Sequence, residues 1–147
     1  MIVKTILKTK ARGAGVVTIS PQASIAEAAH LLATHRIGAV IAADDDGAIR
    51  GILSERDIVR GLAQSDNICT TARVADLMTA AVQTCHENDS TENLMKIMTS
   101  KRIRHLPVVD SAGRLTGMVT IGDVVKSRLD EMDMEVDNLR NYVSATH

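Results

Sequence analysis

The stretch GMVTIGD, residues 117–123, has a counterpart in GILSERD, residues 51–57, which lies 66 positions earlier in the chain. Each copy is a short apolar run that ends in a hydroxyl residue and is followed, three positions later, by Asp57 or Asp123. The apolar run predicts a buried strand, and the hydroxyl and acid at this spacing predict the start of a helix. We expect the chemistry at these two strand-to-helix junctions, because a helix N-terminus presents unpaired N–H groups and a partial positive charge.

The same offset of 66 positions aligns many other residues of the two halves. The matched pairs include strand, cap, turn and core positions: Thr18 with Thr84, Ser24 with Ser90, Asp44 with Asp110, Gly47 with Gly113, and Val59 with Val125. The chain is therefore a tandem repeat, and each copy has an apolar face that it cannot bury alone. We predict an α/β (α+β) fold in which two β-α-β-β-α repeats pack about a pseudo-two-fold axis, with a helical extension at the C-terminus.

The pattern also predicts boundaries. Repeat 1 is expected over residues 1–66, repeat 2 over residues 67–128, and a C-terminal amphipathic helix over residues 129–147. In repeat 1 we predict extended segments at 2–7, 16–20, 37–43 and 48–53, helices at 24–35 and 55–63, a loop at 8–15, and a polar linker at 64–73. Gly13-Ala14-Gly15 lacks the third glycine of a dinucleotide-binding loop and is not followed by an apolar helix, so it is predicted to bind no phosphate.

Composition excludes several classes of protein. The 147 residues are 45% hydrophobic and carry a net charge of −1, so no basic field attracts nucleic acid, and the one aromatic residue, Tyr142, cannot form a base-stacking platform. No apolar run approaches the roughly 20 residues of a membrane span, and the N-terminus lacks a signal-peptide core. We expect a cytoplasmic protein in which Cys69 and Cys85 are structural thiols.

Catalysis is not expected. The five histidines form no HExxH motif or other metal-ligand spacing, and the chain has neither a nucleophile elbow nor a Walker loop. We therefore predict no catalytic residue, no metal and no catalytic cofactor.

The paired segments resemble cystathionine β-synthase (CBS) domains, two of which form a Bateman module. The resemblance lies in residues 104–110 (RHLPVVD), Gly113 and residues 117–123 of repeat 2, and in residues 37–41 (IGAVI) and 51–57 of repeat 1, and it covers about residues 3–128. It implies a stand-alone regulatory module that binds an adenosine-containing ligand (AMP, ADP, ATP or NAD) in clefts between its repeats, as in energy sensing.

The expected ligand contacts follow from the chemistry of a nucleotide. Asp57 and Asp123, with Ser54 and Thr120 beside them, are suited to accept and donate hydrogen bonds at ribose hydroxyls. The alternative is that these residues only cap their helices, since S/T-x-x-acid is a capping signature. The adenine pocket is assigned to Thr18, Ile37, Gly38, Ala39 and Ile52 of repeat 1 and to Thr84, Leu106, Pro107, Met118, Ile121 and Gly122 of repeat 2.

Phosphate groups require cations, and the resemblance places phosphate-contacting basic residues at Arg104 and His105. Arg56 is a third candidate, because it lies within the motif of repeat 1, from where it could reach across the pseudo-two-fold axis. The alternative is a solvated basic patch that includes Lys101 and Arg102. In repeat 1 the counterparts of Arg104 and His105 are the uncharged Gly38 and Ala39. We therefore expect unequal sites, with the better one in repeat 2.

The C-terminal segment has apolar residues at alternating steps of four and three: Val125, Leu129, Met132, Val136, Leu139 and Val143. This spacing is typical of a helix that packs along another helix, so we expect a homodimer, formed either by a zipper or by packing onto a partner module. The protein that the module regulates cannot be read from the sequence. The alternative function is a structural dimer whose nucleotide sites are degenerate.

Overall fold

The structure, a computed structural model, describes residues 1–10 and 16–145. In chain order its elements are α1 (Val3–Thr9), β1 (Thr18–Ile19), α2 (Ile25–His35), β2 (Ala39–Ala43), β3 (Ile49–Ser54), α3 (Glu55–Gln64), α4 (Ile68–Thr71), α5 (Val74–Leu77), α6 (Thr91–Lys101), β4 (His105–Val109), β5 (Leu115–Thr120) and α7 (Ile121–Ala145). The predicted class, mixed α and β with two repeats and a C-terminal helix, is confirmed. Residues 13–15, the glycine-containing stretch, lie outside the described residues.

The chain forms two compact units. The Asp57 unit comprises residues 15–84 and 109–116, and the Asp123 unit comprises residues 1–14, 85–108 and 117–147. These units are not the same as the sequence repeats, because the N-terminal residues belong with the second half of the chain. The repeat boundaries at residues 66 and 128 stay a prediction.

The Asp57 unit is built on a three-stranded sheet in the order β1-β2-β3. Strand β1 runs parallel to β2, and β2 runs antiparallel to β3, with Ala39 opposite Ser54. Helix α2 begins where the sequence predicts, because the Ser24 hydroxyl accepts a hydrogen bond from the N–H of Glu27 at 3.1 Å. The core of the unit includes Ile25, Leu32, Val40, Leu53 and Val74.

The Asp123 unit contains the counterpart elements. Strands β4 and β5 form a two-stranded sheet, and the place of a first strand is taken by one bridge, in which the N–H of Cys85 donates to the carbonyl of Pro107 at 2.9 Å. Burial raises the pKa of the Cys85 thiol to about 12, so this cysteine is an unreactive core residue. The core of the unit also includes Val3, Leu94, Leu106, Val119 and Val124.

The backbone repeats as the offset of 66 positions predicts. Arg36 and Arg102, the residues that follow α2 and α6, both adopt the left-handed conformation, with φ of 53° and 56°. Gly47 and Gly113 have φ of 87° and 79° in the turns after β2 and β4, where a side chain would be strained.

The predictions of an extended segment at residues 2–7 and of a loop from residue 8 were wrong at residues 3–9, because these residues form helix α1. Val3 and Ile6 are buried three positions apart, which is a helical spacing. The first N–H groups of the helix find partners in the second half of the chain: Val3 donates to the carbonyl of Asp89 at 2.9 Å, and Lys4 donates to that of Glu87 at 2.8 Å. These bonds fix α1 in the Asp123 unit.

The predicted linker at residues 64–73 was also wrong in part. Residues 68–71 form the short helix α4, whose first residue, Ile68, is buried against the core of the Asp57 unit. The few apolar residues of this polar stretch gave too little periodicity to predict a helix.

Candidate functional site

The junction of β3 and α3 carries the pair predicted in repeat 1. The carboxylate Oδ2 of Asp57 accepts hydrogen bonds from the N–H and the hydroxyl of Ser54, at 2.9 and 3.0 Å, and the Ser54 hydroxyl accepts one from the N–H of Asp57 at 3.3 Å. This is a reciprocal capping box, so the capping role considered for these residues is real. The exposed Arg60 guanidinium lies 3.9 Å from the other carboxylate oxygen, and this surface ion pair contributes little to stability.

The junction of β5 and α7 has the same geometry. The N–H of Thr120 donates to Oδ2 of Asp123 at 2.9 Å, and the Thr120 hydroxyl accepts from the N–H of Asp123 at 3.2 Å. Among the described residues, Oδ1 of Asp123 accepts no hydrogen bond, and the side chain is 24% exposed. This carboxylate therefore caps its helix with one oxygen and presents the other.

Lys10 is a site residue that the sequence did not reveal. Its ammonium group lies 2.8 Å from Oδ2 of Asp123 and donates to the carbonyl of Met118 at 2.5 Å. Both partners are predicted ligand contacts. No motif links Lys10 to a residue more than a hundred positions away, and only the packing of α1 in the Asp123 unit brings the lysine to the junction.

The charge of Lys10 sets the electrostatics of this junction. Partial burial by itself would raise the pKa of the Asp123 carboxyl. The hydrogen bonds from Lys10 and from the N–H of Thr120, together with the positive charge of Lys10, outweigh burial and hold that pKa below its usual range. Asp123 is therefore ionised at neutral pH and below it.

This coupling predicts a pH-dependent stability difference. We expect Lys10→Met to lower the free energy of unfolding by about 1 kcal/mol at pH 7, a modest value because both side chains are partly exposed. Because the pKa of Asp123 is lower in the folded protein than in the unfolded chain, the ion pair stabilises the fold fully at pH values above the unfolded-state pKa, which is near 3.9. This stabilisation is lost as the pH falls through the folded-state pKa. Urea unfolding of both proteins from pH 7 to 3 measures it, and the two curves should converge at the acid end.

A constant difference across that pH range would contradict the prediction and would attribute the effect of Lys10→Met to packing. Lys8→Met is the matched control, since Lys8 lies in the last turn of the same helix and has no ion pair among the described residues.

The starts of β2 and β4 lie next to these junctions. The carbonyl of Gly38 accepts from the N–H of Glu55 at 3.0 Å, and the carbonyl of Arg104 accepts from the N–H of Ile121 at 2.9 Å. The structure thus brings Arg104 beside Thr120 and Asp123, with its side chain exposed, and His105 beside it is half-buried. Arg56 follows the first residue of α3 and is also exposed.

The predicted adenine-pocket residues differ in accessibility. Ala39, Leu106 and Pro107 are buried, and Leu106, at 0% exposure, belongs to the hydrophobic core of the Asp123 unit. Half-buried positions are Ile37, Gly38, Ile52, Met118 and Ile121, and exposed positions are Thr18, Thr84 and Gly122. In the Asp57 unit the backbone of Ile52 is already paired with that of Thr79, at 2.9 and 3.0 Å.

Two surface cavities lie away from both junctions. One, of about 710 Å³, is lined by the acidic turn at residues 44–46 and by Arg50, and the other, of about 570 Å³, lies between α6 and Arg128 of α7. In the described part of the chain, no group of three or more His, Cys, Asp or Glu side chains is placed to hold a metal ion. No helix there is long and apolar enough to cross a membrane.

Comparison with known sequences decides the family. The sequence profile of the CBS domain matches residues 10–64 and again residues 74–130. The chain belongs to the CBS-domain family. The resemblance inferred from the repeated segments is therefore confirmed, and the chain is a tandem CBS pair whose first matched residue is Lys10.

Solved structures of other CBS proteins support this assignment. The CBS-domain protein ATU1752 from Agrobacterium tumefaciens is 45% identical, with a TM-score of 0.81 over 87% of this chain and 99% of that one. The CBS pair of protein MJ0100, solved in complex with 5′-methylthioadenosine and S-adenosyl-L-methionine, is 32% identical (TM-score 0.76; 90% and 98% covered). Protein PAE2072 from Pyrobaculum aerophilum, complexed with AMP, is 26% identical (TM-score 0.74; 84% and 89% covered).

The CBS pair also matches part of larger proteins. It is 32% identical over 113 residues to the inosine-5′-monophosphate dehydrogenase of Methanocaldococcus jannaschii, covering 77% of this chain but 22% of that enzyme. The match is limited to the CBS region and does not assign the activity of the dehydrogenase to this chain.

Proposed function

We propose that this CBS pair is a regulatory module that binds an adenosine-containing ligand at the Asp123 junction, and more weakly at the Asp57 junction. The observation that carries the proposal is the Asp123 carboxylate, which is kept ionised and presents one oxygen without a partner among the described residues. A carboxylate in this state is a strong acceptor for a pair of ribose hydroxyls.

The ligands of the related structures support this chemistry. AMP, 5′-methylthioadenosine and S-adenosylmethionine share an adenine and a ribose with free 2′ and 3′ hydroxyls, and they differ in the 5′ substituent. In our proposal Asp123 and Thr120 hold the ribose, and Asp57 and Ser54 do the same in repeat 1. The 5′ group then decides which compound binds.

Arg104, His105 and Arg56 are proposed to contact the 5′ phosphates. Arg104 is the best placed, because its carbonyl is tied to the N–H of Ile121 and its guanidinium is exposed. The corresponding position in repeat 1 is Gly38, which has no charge to offer. This difference supports the proposal that the stronger site lies at the Asp123 junction. The positive charge of Arg104 favours a phosphorylated ligand (AMP, ADP, ATP or NAD).

Regulation is proposed to act through binding and assembly, without turnover. A ligand can shift a regulated protein only by the difference in its affinity for two states, and the module itself needs no catalytic group for that. We propose a cytoplasmic homodimer that responds to nucleotide levels and acts on a partner protein.

A second candidate function is a structural dimer with degenerate nucleotide sites. It is favoured by one observation: both aspartates already close capping boxes, and Lys10 covers the capping oxygen of Asp123. In that case the two junctions would have only a structural role.

A thermal-shift panel distinguishes the two candidates. The purified protein is heated with AMP, ADP, ATP, NAD, S-adenosylmethionine and 5′-methylthioadenosine, each in separate samples, with adenine and ribose 5-phosphate as controls. A ligand at about 100 times its dissociation constant adds about 2.7 kcal/mol to the free energy of unfolding, which raises Tm by several degrees. A selective rise is expected, and no rise with any nucleotide would favour the structural dimer.

A further inference from the structure

Helix α7 continues well past the body of the Asp123 unit. Val124 and Ser127 are buried, whereas residues 132–145 are exposed on every face. At 1.5 Å per residue this last part extends about 21 Å. Isolated helices of this length are marginally stable in water, so the segment needs a partner to stay helical.

One stripe of this helix is apolar and exposed. Its members have exposed fractions between 44% and 64%: Val125, Leu129, Met132, Val136, Leu139 and Val143. Their alternating spacing is that of a coiled-coil seam. Written as a heptad, the a positions are Leu129, Val136 and Val143, and the d positions are Val125, Met132 and Leu139. Two β-branched residues at a, with leucine at one d, favour a pair of strands.

Which charges meet beside the seam depends on whether the two helices run parallel or antiparallel. The g positions hold Arg128 and Glu135, and the e positions hold Lys126, Asp133 and Arg140. In a parallel, in-register pair each g residue faces the e residue five positions later on the other helix. Arg128 then faces the partner's Asp133, and Glu135 faces the partner's Arg140. Both contacts join opposite charges, and symmetry repeats each of them.

In an antiparallel pair, the charges beside the seam repel each other. The seam would match if Leu129 faced the partner's Leu139, but g then faces g and e faces e. Glu135 would lie opposite the partner's Glu135, and Asp133 opposite the partner's Asp133. Lys126 would lie opposite the partner's Arg140. Each of these contacts joins like charges, which is destabilising.

We propose that α7 forms a parallel, in-register, two-stranded coiled coil with α7 of a second copy of this chain. The inference rests on the homodimer of the proposed function and adds its surface and direction. Arg128 also lies 3.0 Å from Glu131 and 3.7 Å from Glu92 of its own chain, so its contact with the partner's Asp133 is shared with these acids. The pair between Glu135 and Arg140 is the cleaner test.

Disulfide trapping tests the direction. In a Cys69→Ala background, Leu139→Cys places equal thiols opposite each other only in the parallel pair. In the antiparallel pair they lie ten residues apart, about 15 Å along the helix and beyond the ~7 Å limit between the Cα atoms of a disulfide. Under mild oxidation we expect Leu139→Cys alone to give a covalent dimer. When the Leu139→Cys and Leu129→Cys proteins are mixed before oxidation, the mixed 129–139 disulfide should not form in preference to the two symmetric disulfides.

Charge exchange provides a second test that leaves the apolar seam intact. By analytical ultracentrifugation, Glu135→Lys and Arg140→Glu should each raise the dimer dissociation constant about tenfold, and the double variant should restore it. In the antiparallel pair, Arg140→Glu alone would instead tighten the dimer, because it would face the partner's Lys126.

The outcomes separate the two proposals. A mixed 129–139 disulfide, or tightening by Arg140→Glu alone, overturns the parallel coil in favour of the antiparallel one. A dimer that neither crosslinks nor responds to the charge exchange pairs through another surface, which overturns this inference and leaves the nucleotide-binding proposal intact. A monomer overturns the homodimer as well. Circular dichroism of each variant controls for folding.

Discussion

Asp123→Ala is expected to weaken nucleotide binding at the stronger site while leaving the protein folded. Loss of a charge-assisted hydrogen bond to ribose costs about 2 kcal/mol, which corresponds to roughly a 30-fold rise in Kd. Loss of the cap lowers the free energy of unfolding by about 1 kcal/mol. Isothermal titration with whichever nucleotide gives the largest thermal shift measures the first effect, and urea unfolding without ligand measures the second.

Two other aspartates provide matched controls. Asp76 accepts a hydrogen bond from the N–H of Arg73 at 2.8 Å at the start of α5, so Asp76→Ala removes a similar cap without touching either junction. It should lose stability and retain full affinity. Asp57→Ala should reduce only the weaker binding. If Asp123→Ala binds the nucleotide as tightly as Asp76→Ala does, Asp123 has only its capping role.

Leu106→Ala is expected to destabilise the whole Asp123 unit rather than to impair ligand binding selectively. The side chain is fully buried with Leu94, Val119 and Val124, and truncation of a buried leucine costs about 2–5 kcal/mol. At about 2–4 °C per kcal/mol for a chain of this size, Tm should fall by roughly 10 °C. Affinity measured well below that Tm should change little.

The half-buried Met118 gives the contrasting variant, because it was assigned to the same adenine pocket. Met118→Ala should lower Tm less than Leu106→Ala and should weaken nucleotide binding more. Should Leu106→Ala lose binding while keeping its Tm, the leucine contacts the ligand as the sequence suggested, and its burial in the unliganded core is not its only role.

Interactions local in sequence made much of this protein predictable. The capping of α2 by Ser24 and the paired junctions at Asp57 and Asp123 involve residues three apart, and the left-handed turns at Gly47 and Gly113 depend on one residue each. Because short-range hydrogen bonds and backbone preferences carry these features, a repeat of 66 positions was enough to place them and to identify the family.

Features that depend on distant contacts could not be read in the same way. Helix α1 is tied to Glu87 and Asp89, and only that packing carries Lys10 to Asp123. The sequence could not show that Leu106 lies in the core of the Asp123 unit, because strand β4 is apolar throughout and has no alternation to indicate which side chains face inward. The residue types and their spacing thus specified the junctions and the family, whereas the long-range packing of the folded chain decided the charge on the site and which apolar residues are core.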